Sequence, residues 1–216
     1  MDRYITELVG TFFLVCTIGL SVNAGNAMAP IAIGLALTAL VYMGGHVSGA
    51  HYNPAVTLGF LLAGGVDRRD VAPYVAAQVF GAWVAATTVQ FISAESFAPA
   101  PSPGYSLAHV LLAESLFTFL LMLVILNVAM ARTTRGNAFY GIAIGSTVTA
   151  GIFTVGDVSG AAFNPAVGLG PMMVDTMMGD GSLSNAWIYV VGPIAGAAAA
   201  VPVFRLQEAA GEPASE

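Results

Sequence analysis

The sequence predicts an all-α membrane protein of six transmembrane helices and two re-entrant half-helices, built as an inverted repeat of three spans and three. Three observations predict it. The 216 residues are 57% apolar and only 8% charged, where a soluble domain carries roughly 25% charged residues. Six apolar stretches are long enough to cross a bilayer. A polar triplet, Asn-Pro-Ala, occurs twice inside apolar surroundings, in "GAHYNPAVT" (49–57) and "GAAFNPAVG" (160–168).

The elements follow in order. A spanning helix needs about 20 apolar residues, and stretches near 4–24, 30–48, 70–92, 106–129, 138–156 and 184–206 meet that length. The first has almost no basic residues before it and no convincing cleavage site, so it reads as a retained span. Its Cys16 sits mid-span and reads as a small buried apolar residue. Two further apolar stretches, about 54–63 and 165–176, are too short to span, and each starts at an Asn-Pro-Ala. They read as half-helices. Asn is a preferred N-cap and Pro a preferred first helical residue, so the triplet is a helix start.

The arginines test the order. Lysine is absent, and the six arginines are Arg3, Arg68, Arg69, Arg132, Arg135 and Arg205. With six spans and two re-entrant loops, all six fall on one side, and the opposite loops near 25–29, 93–105 and 177–183 hold none. That asymmetry places both termini in the cytoplasm, in an integral multi-pass protein of the cell (inner) membrane.

The halves repeat. "ITELVGTFFLV" (5–15) matches "LAESLFTFLLM" (112–122), and "GHVSGAHYNPAV" (45–56) matches "GDVSGAAFNPAV" (156–167). "VFGAWVAA" (79–86) resembles "PIAGAAAA" (193–200) more weakly. One channel domain, 1–206, therefore divides into repeats of about 1–105 and 106–206, followed by an acidic tail, 207–216. Three spans per repeat is an odd number, so the second half inserts upside down, as in transport proteins whose site lies at the repeat interface near mid-membrane.

Inverted symmetry brings the two half-helix starts together. Each carries about half a positive charge, which repels cations and offers donors to a neutral polar molecule. The turns before the triplets, Gly49-Ala50-His51 and Gly160-Ala161-Ala162, are non-helical, and such backbone is tolerated at membrane depth only where it is buried or lines a wet cavity. Their carbonyls then form a ladder of acceptors beside the asparagine donors. Of the remaining polar residues, His51 should contribute its backbone to the path while its ring packs on the loop. His46 could face the pore, and His109 begins a span at the interface.

The doubled Asn-Pro-Ala, its "SGAHYNPAV" context and the paired Glu-x-x-x-Thr spans resemble the aquaporin (major intrinsic protein) family over nearly the whole chain. The resemblance implies a right-handed bundle and a homotetramer with one pore per subunit. It gives Asn53, Pro54, Ala55, Asn164, Pro165 and Ala166 the pore-centre role. It makes Glu7 and Glu114 braces of the re-entrant loops, where intramembrane acids could otherwise serve as proton carriers. It places a selectivity filter at Ile33, Ile152, Ala161 and Val167. A one-residue slip would put Phe153 there instead of Ile152. Water-selective members resemble one another in an aromatic, a histidine and an arginine among these four positions. Here Val167 stands for the arginine, and Gly168 stands where glycerol-conducting members have aspartate. Tyr189 is closer to the water-channel branch.

The expectation is a passive channel for water and small neutral solutes such as ammonia, hydrogen peroxide and urea. Its partners are the lipid bilayer, its solutes and further copies of itself. No metal or cofactor is called for. A net charge of −6 without a basic stripe excludes nucleic acid. The scattered acids, with no nucleophile–base pair, exclude an enzyme. A closed or structural protein of the same fold and a proton-coupled transporter remain as alternatives. The tail from Glu208 is too rich in Ala, Glu, Pro and Ser to build a core and reads as disordered.

Overall fold

A computed structural model describes residues 1–211. Eight α-helices make up this part: α1 (Asp2–Asn23), α2 (Ala29–Ser48), α3 (Pro54–Ala63), α4 (Arg68–Ser93), α5 (Leu107–Ala129), α6 (Tyr140–Ser159), α7 (Pro165–Met178) and α8 (Ile188–Ala210). Six of them are long and apolar enough to cross a membrane. The other two, α3 and α7, are the half-helices, and both start at the triplet proline.

Local chemistry sets the boundaries. Asn53 accepts from the backbone N–H groups of Ala55 (2.8 Å) and Val56 (3.4 Å), and Asn164 accepts from that of Ala166 (2.9 Å). Each asparagine thus caps a helix whose Pro has no N–H to satisfy. Ser106 and His109 form a capping box at the start of α5. Gly49, Gly160 and Gly64 end α2, α6 and α3 in the left-handed conformation that glycine adopts without a steric penalty.

Packing interlocks the two halves. Helix α1 lies on α4, α5 on α8 and α2 on α6, while α3 packs on α8 and α7 on α4. Each half-helix therefore rests on the last long helix of the opposite repeat. Close approach uses glycine. A Cβ at Gly81 would strike the Leu8 carbonyl, and one at Gly196 the Ser115 carbonyl. The two glycines are 115 residues apart. The repeat in the third spans is therefore "VFGA" on "IAGA", one residue away from the register in which 79–86 matches 193–200.

The interior holds buried Tyr52, Tyr189, Met122 and Leu126, whereas Phe91, Leu35, Ile142, Phe153 and Phe13 point outward from the long helices. Large apolar side chains on the outside fit a chain whose outer solvent is hydrocarbon. Cys16 is buried, with Sγ 3.8 Å from the Ala85 carbonyl. Helix α8 continues through the start of the tail, correcting the expectation of disorder from Glu208 onward. Glu208 accepts from the Arg132 backbone N–H at 3.4 Å and faces Arg132 Nε at 3.5 Å. The rest of the tail, 212–216, lies outside the described residues.

Candidate functional site

A cavity of about 840 Å³ opens into the bundle. Arg3, Asp67, Arg69, Asp70, His46 and Asn137 line one end, Asn53 and Asn164 its middle, and Ile33, Ile152, Ala161 and Val167 the other end. All four expected filter positions are among its lining residues. Ile152 faces the cavity, while Phe153 points out of the bundle and is 58% exposed. The side chains at these four positions are aliphatic, with neither a donor nor a charge among them.

The middle is built by a reciprocal exchange. The Asn53 amide donates to the Phe163 carbonyl at 2.9 Å, and the Asn164 amide donates to the Tyr52 carbonyl at 2.8 Å. The two half-helix starts are thereby tied tip to tip. Each amide nitrogen carries two hydrogens and spends one in this way.

The loops before the triplets have an unusual backbone. Ala50 (φ 51°), Tyr52 (φ 48°), Ala161 (φ 50°) and Phe163 (φ 50°) are left-handed without being glycine, at roughly 1–2 kcal/mol each. The matching acids offset that strain. Glu114 accepts from Ser159 Oγ (2.7 Å), Ala162 N–H (3.0 Å) and Phe163 N–H (2.7 Å). Glu7 accepts from Ser48 Oγ (2.7 Å), His51 N–H (2.9 Å), Tyr52 N–H (2.6 Å) and Gln78 Nε2 (2.8 Å). Ser48 and Ser159 in turn accept from the N–H groups of Ala50 and Ala161 at 3.1 and 3.0 Å. Both acids are fully buried.

This bonding settles where the carbonyls go. In a planar trans peptide the C=O opposes the next residue's N–H. The N–H groups of residues 50–52 and 161–163 all turn toward the braces. The carbonyls of Gly49, Ala50 and His51, and those of Gly160, Ala161 and Ala162, therefore turn the other way, and none of the six has a hydrogen-bond partner among the described residues. Five of these residues line the cavity. The sixth, Gly160, is exposed, with Pro99 and Ala100 of the outer loop on its Cα side.

The His51 ring stacks on Phe60 with centroids 4.4 Å apart and 3° between planes, and its Nδ1 lies 3.1 Å from Thr57 Oγ1. His46 is exposed at the mouth, and His109 is exposed at the start of α5. Sequence reasoning missed several supports. Tyr74 and Tyr189 donate to the carbonyls of Ser48 and Ser159, each at 2.7 Å. Their 115-residue spacing was a readable signal once the third spans are in register. Gln78 and Thr57 had no such signal, because the second repeat has Pro193 and Gly168 at their places.

The family model "Major intrinsic protein" matches residues 1–204. The chain belongs to the major intrinsic protein family. It is 37% identical to aquaporin NIP1-1 of Oryza sativa subsp. japonica over 226 residues, covering 100% of this chain and 78% of that protein. It is 36% identical to aquaporin AqpM of Methanothermobacter thermautotrophicus, covering 94% and 96%. The aquaglyceroporin of Plasmodium falciparum, solved by X-ray crystallography, has a similar structure, with a TM-score of 0.84 at 25% identity over 95% of this chain and 98% of that one. This member of the family is an integral multi-pass membrane protein and a transmembrane channel for water and small solutes, not an enzyme.

Proposed function

We propose that this chain is a passive channel for small neutral solutes, less selective than a strict water channel, with its filter at Ile33, Ile152, Ala161 and Val167. The aliphatic ring carries the reading. An arginine at Val167 would bring five donors and a fixed charge; valine brings neither and is shorter. A passing solute meets carbonyl acceptors on one wall and hydrocarbon on the others. Each solute group left unpaired costs about 1–3 kcal/mol. Glycerol, with three hydroxyls, suffers most, and ammonia and hydrogen peroxide least. Urea and water lie between.

The geometry supports the remaining assignments. Asn53, Pro54, Ala55, Asn164, Pro165 and Ala166 form the pore centre, and the carbonyls of Gly49, Ala50, His51, Ala161 and Ala162 form the ladder. Two helix N-termini face the centre, so cations are repelled there. Glu7 and Glu114 act as braces rather than proton carriers: every partner they have is a donor, and neither lines the cavity. The arginines mark the cytoplasmic end, where Arg3 and Arg69 line the mouth and Arg205 donates to the Leu62 carbonyl at 2.6 Å. Both termini are then cytoplasmic, in the cell membrane. The family resemblance further implies a homotetramer with one pore per subunit.

The test is stopped-flow light scattering on proteoliposomes challenged in turn with sucrose, urea, glycerol and an ammonium gradient. Faster ammonia and urea entry than in empty liposomes, with glycerol near background, is the expected result. Conduction of sodium or potassium, or no flux of any solute from correctly inserted protein, would overturn the proposal.

A further inference from the structure

We infer that a hydrogen-bond relay starting at Glu7 fixes the ring proton of His51 on Nδ1, leaving the Nε2 lone pair facing the lumen as a station for solute N–H and O–H groups. The first step is Glu7, whose four partners all donate, so it serves as an acceptor-only carboxylate. That orients Gln78. Its nitrogen sits 2.8 Å from Glu7 Oε2 and 2.9 Å from Thr57 Oγ1, so each amide hydrogen has a target. A flipped amide would set oxygen against carboxylate. The cost of this orientation is that Gln78 Oε1 is buried without a partner.

Thr57 is the junction. Its hydroxyl has one hydrogen and two lone pairs. The hydrogen reaches the Asn53 carbonyl at 3.1 Å, and one lone pair takes Gln78. The other lone pair faces His51 Nδ1 at 3.1 Å. All of these contacts are hydrogen bonds together only when Nδ1 supplies the hydrogen. Stacking on Phe60 fixes the ring plane. Nε2 then lies 3.2 Å from the position of a Cβ on Gly49, beside the carbonyl ladder, and His51 lines the cavity.

The second half carries no such relay, since Ala162, Gly168 and Pro193 stand where His51, Thr57 and Gln78 do. The His51 nitrogen is therefore an acceptor of the inner half with no counterpart in the outer half. The lumen role rests on the channel reading given above, while the tautomer does not.

Nitrogen NMR of histidine-labelled protein in bilayers tests it. His109 supplies an internal contrast, because its Nδ1 accepts from the Ser106 backbone N–H at 3.2 Å and so carries no hydrogen. At neutral pH, His51, assigned by loss of its signals in His51→Gln, is expected to show a protonated Nδ1 and a bare Nε2. Thr57→Val, which keeps the shape but cannot accept, is expected to lose that preference, and Thr57→Ser to keep it. Urea flux relative to water should fall about two- to tenfold in Thr57→Val, the worth of one neutral hydrogen bond, and recover in Thr57→Ser. A wild-type His51 with protonated Nε2, which needs no variant to see, or a tautomer indifferent to Thr57→Val, overturns the relay. The stated tautomer with equal urea-to-water ratios in Thr57→Val and Thr57→Ser overturns the lumen role. Absence of flux in the wild type counts against the channel reading and leaves the relay standing.

Discussion

Replacing Glu114 by alanine removes the acceptor for three buried donors that have no other among the described residues: Ser159 Oγ and the N–H groups of Ala162 and Phe163. A buried donor left unmade costs about 1–3 kcal/mol, so the sum is about 3–9 kcal/mol if the loop stays in place. The loop has a cheaper course. Ala161 and Phe163 are held at positive φ, and without the brace they can relax, rotating the 161–163 peptides so that water reaches the freed N–H groups. The carbonyls then leave the lumen. The lower figure, about 3 kcal/mol, is the expected loss, and flux should fall with it. Glu114→Gln should be intermediate, because its oxygen still accepts while its nitrogen confronts a donor. The assay pairs thermal unfolding in detergent with stopped-flow water and urea flux in liposomes. A Glu114→Ala protein with an unchanged unfolding midpoint and wild-type flux would refute the bracing argument.

Other consequences follow from the same geometry. Asn53→Asp keeps the cap but swaps the donor to Phe163 for a charge that the two helix N-termini attract, so cation current should appear in planar bilayers; unchanged ion exclusion counts against dipole repulsion at the centre. Gly196→Ala forces a Cβ onto the Ser115 carbonyl and should cost about 1–3 kcal/mol in unfolding measurements, as overpacking does. Arg205→Met loses the bond to Leu62 at the end of α3 and should cost about 0.3–1 kcal/mol, with solute ratios unchanged in the flux assay.

Much of this architecture was legible in the sequence, because lipid leaves the backbone few options. The long spans and both half-helices begin and end near the expected residues, since length, Asn-Pro starts and glycine stops are local signals. The four filter positions were named only through family spacing; all four are among the residues that line the cavity. The carbonyl ladder was expected, because non-helical backbone at membrane depth must be buried or line a wet cavity. What turns the Ala161 and Phe163 peptides, a carboxylate 47 residues upstream of Ala161, came only from the family resemblance. The third spans were out of register by one residue because runs of Ala and Gly align almost equally well in several ways. The Gln78–Thr57–His51 chain is absent from the second repeat, so repetition could not reveal it. At the helical start of the tail, Gln207 and Glu208 bond to Asn127 and Arg132, contacts that composition does not encode.

The central claim is that the aliphatic ring sets selectivity, and the most direct measurement compares wild type with Val167→Arg in proteoliposomes for water, ammonia, urea and glycerol. The account predicts that arginine narrows the ring and cuts urea and ammonia entry while water flux persists. Equal solute profiles in the two proteins, both correctly inserted and both conducting water, would contradict it.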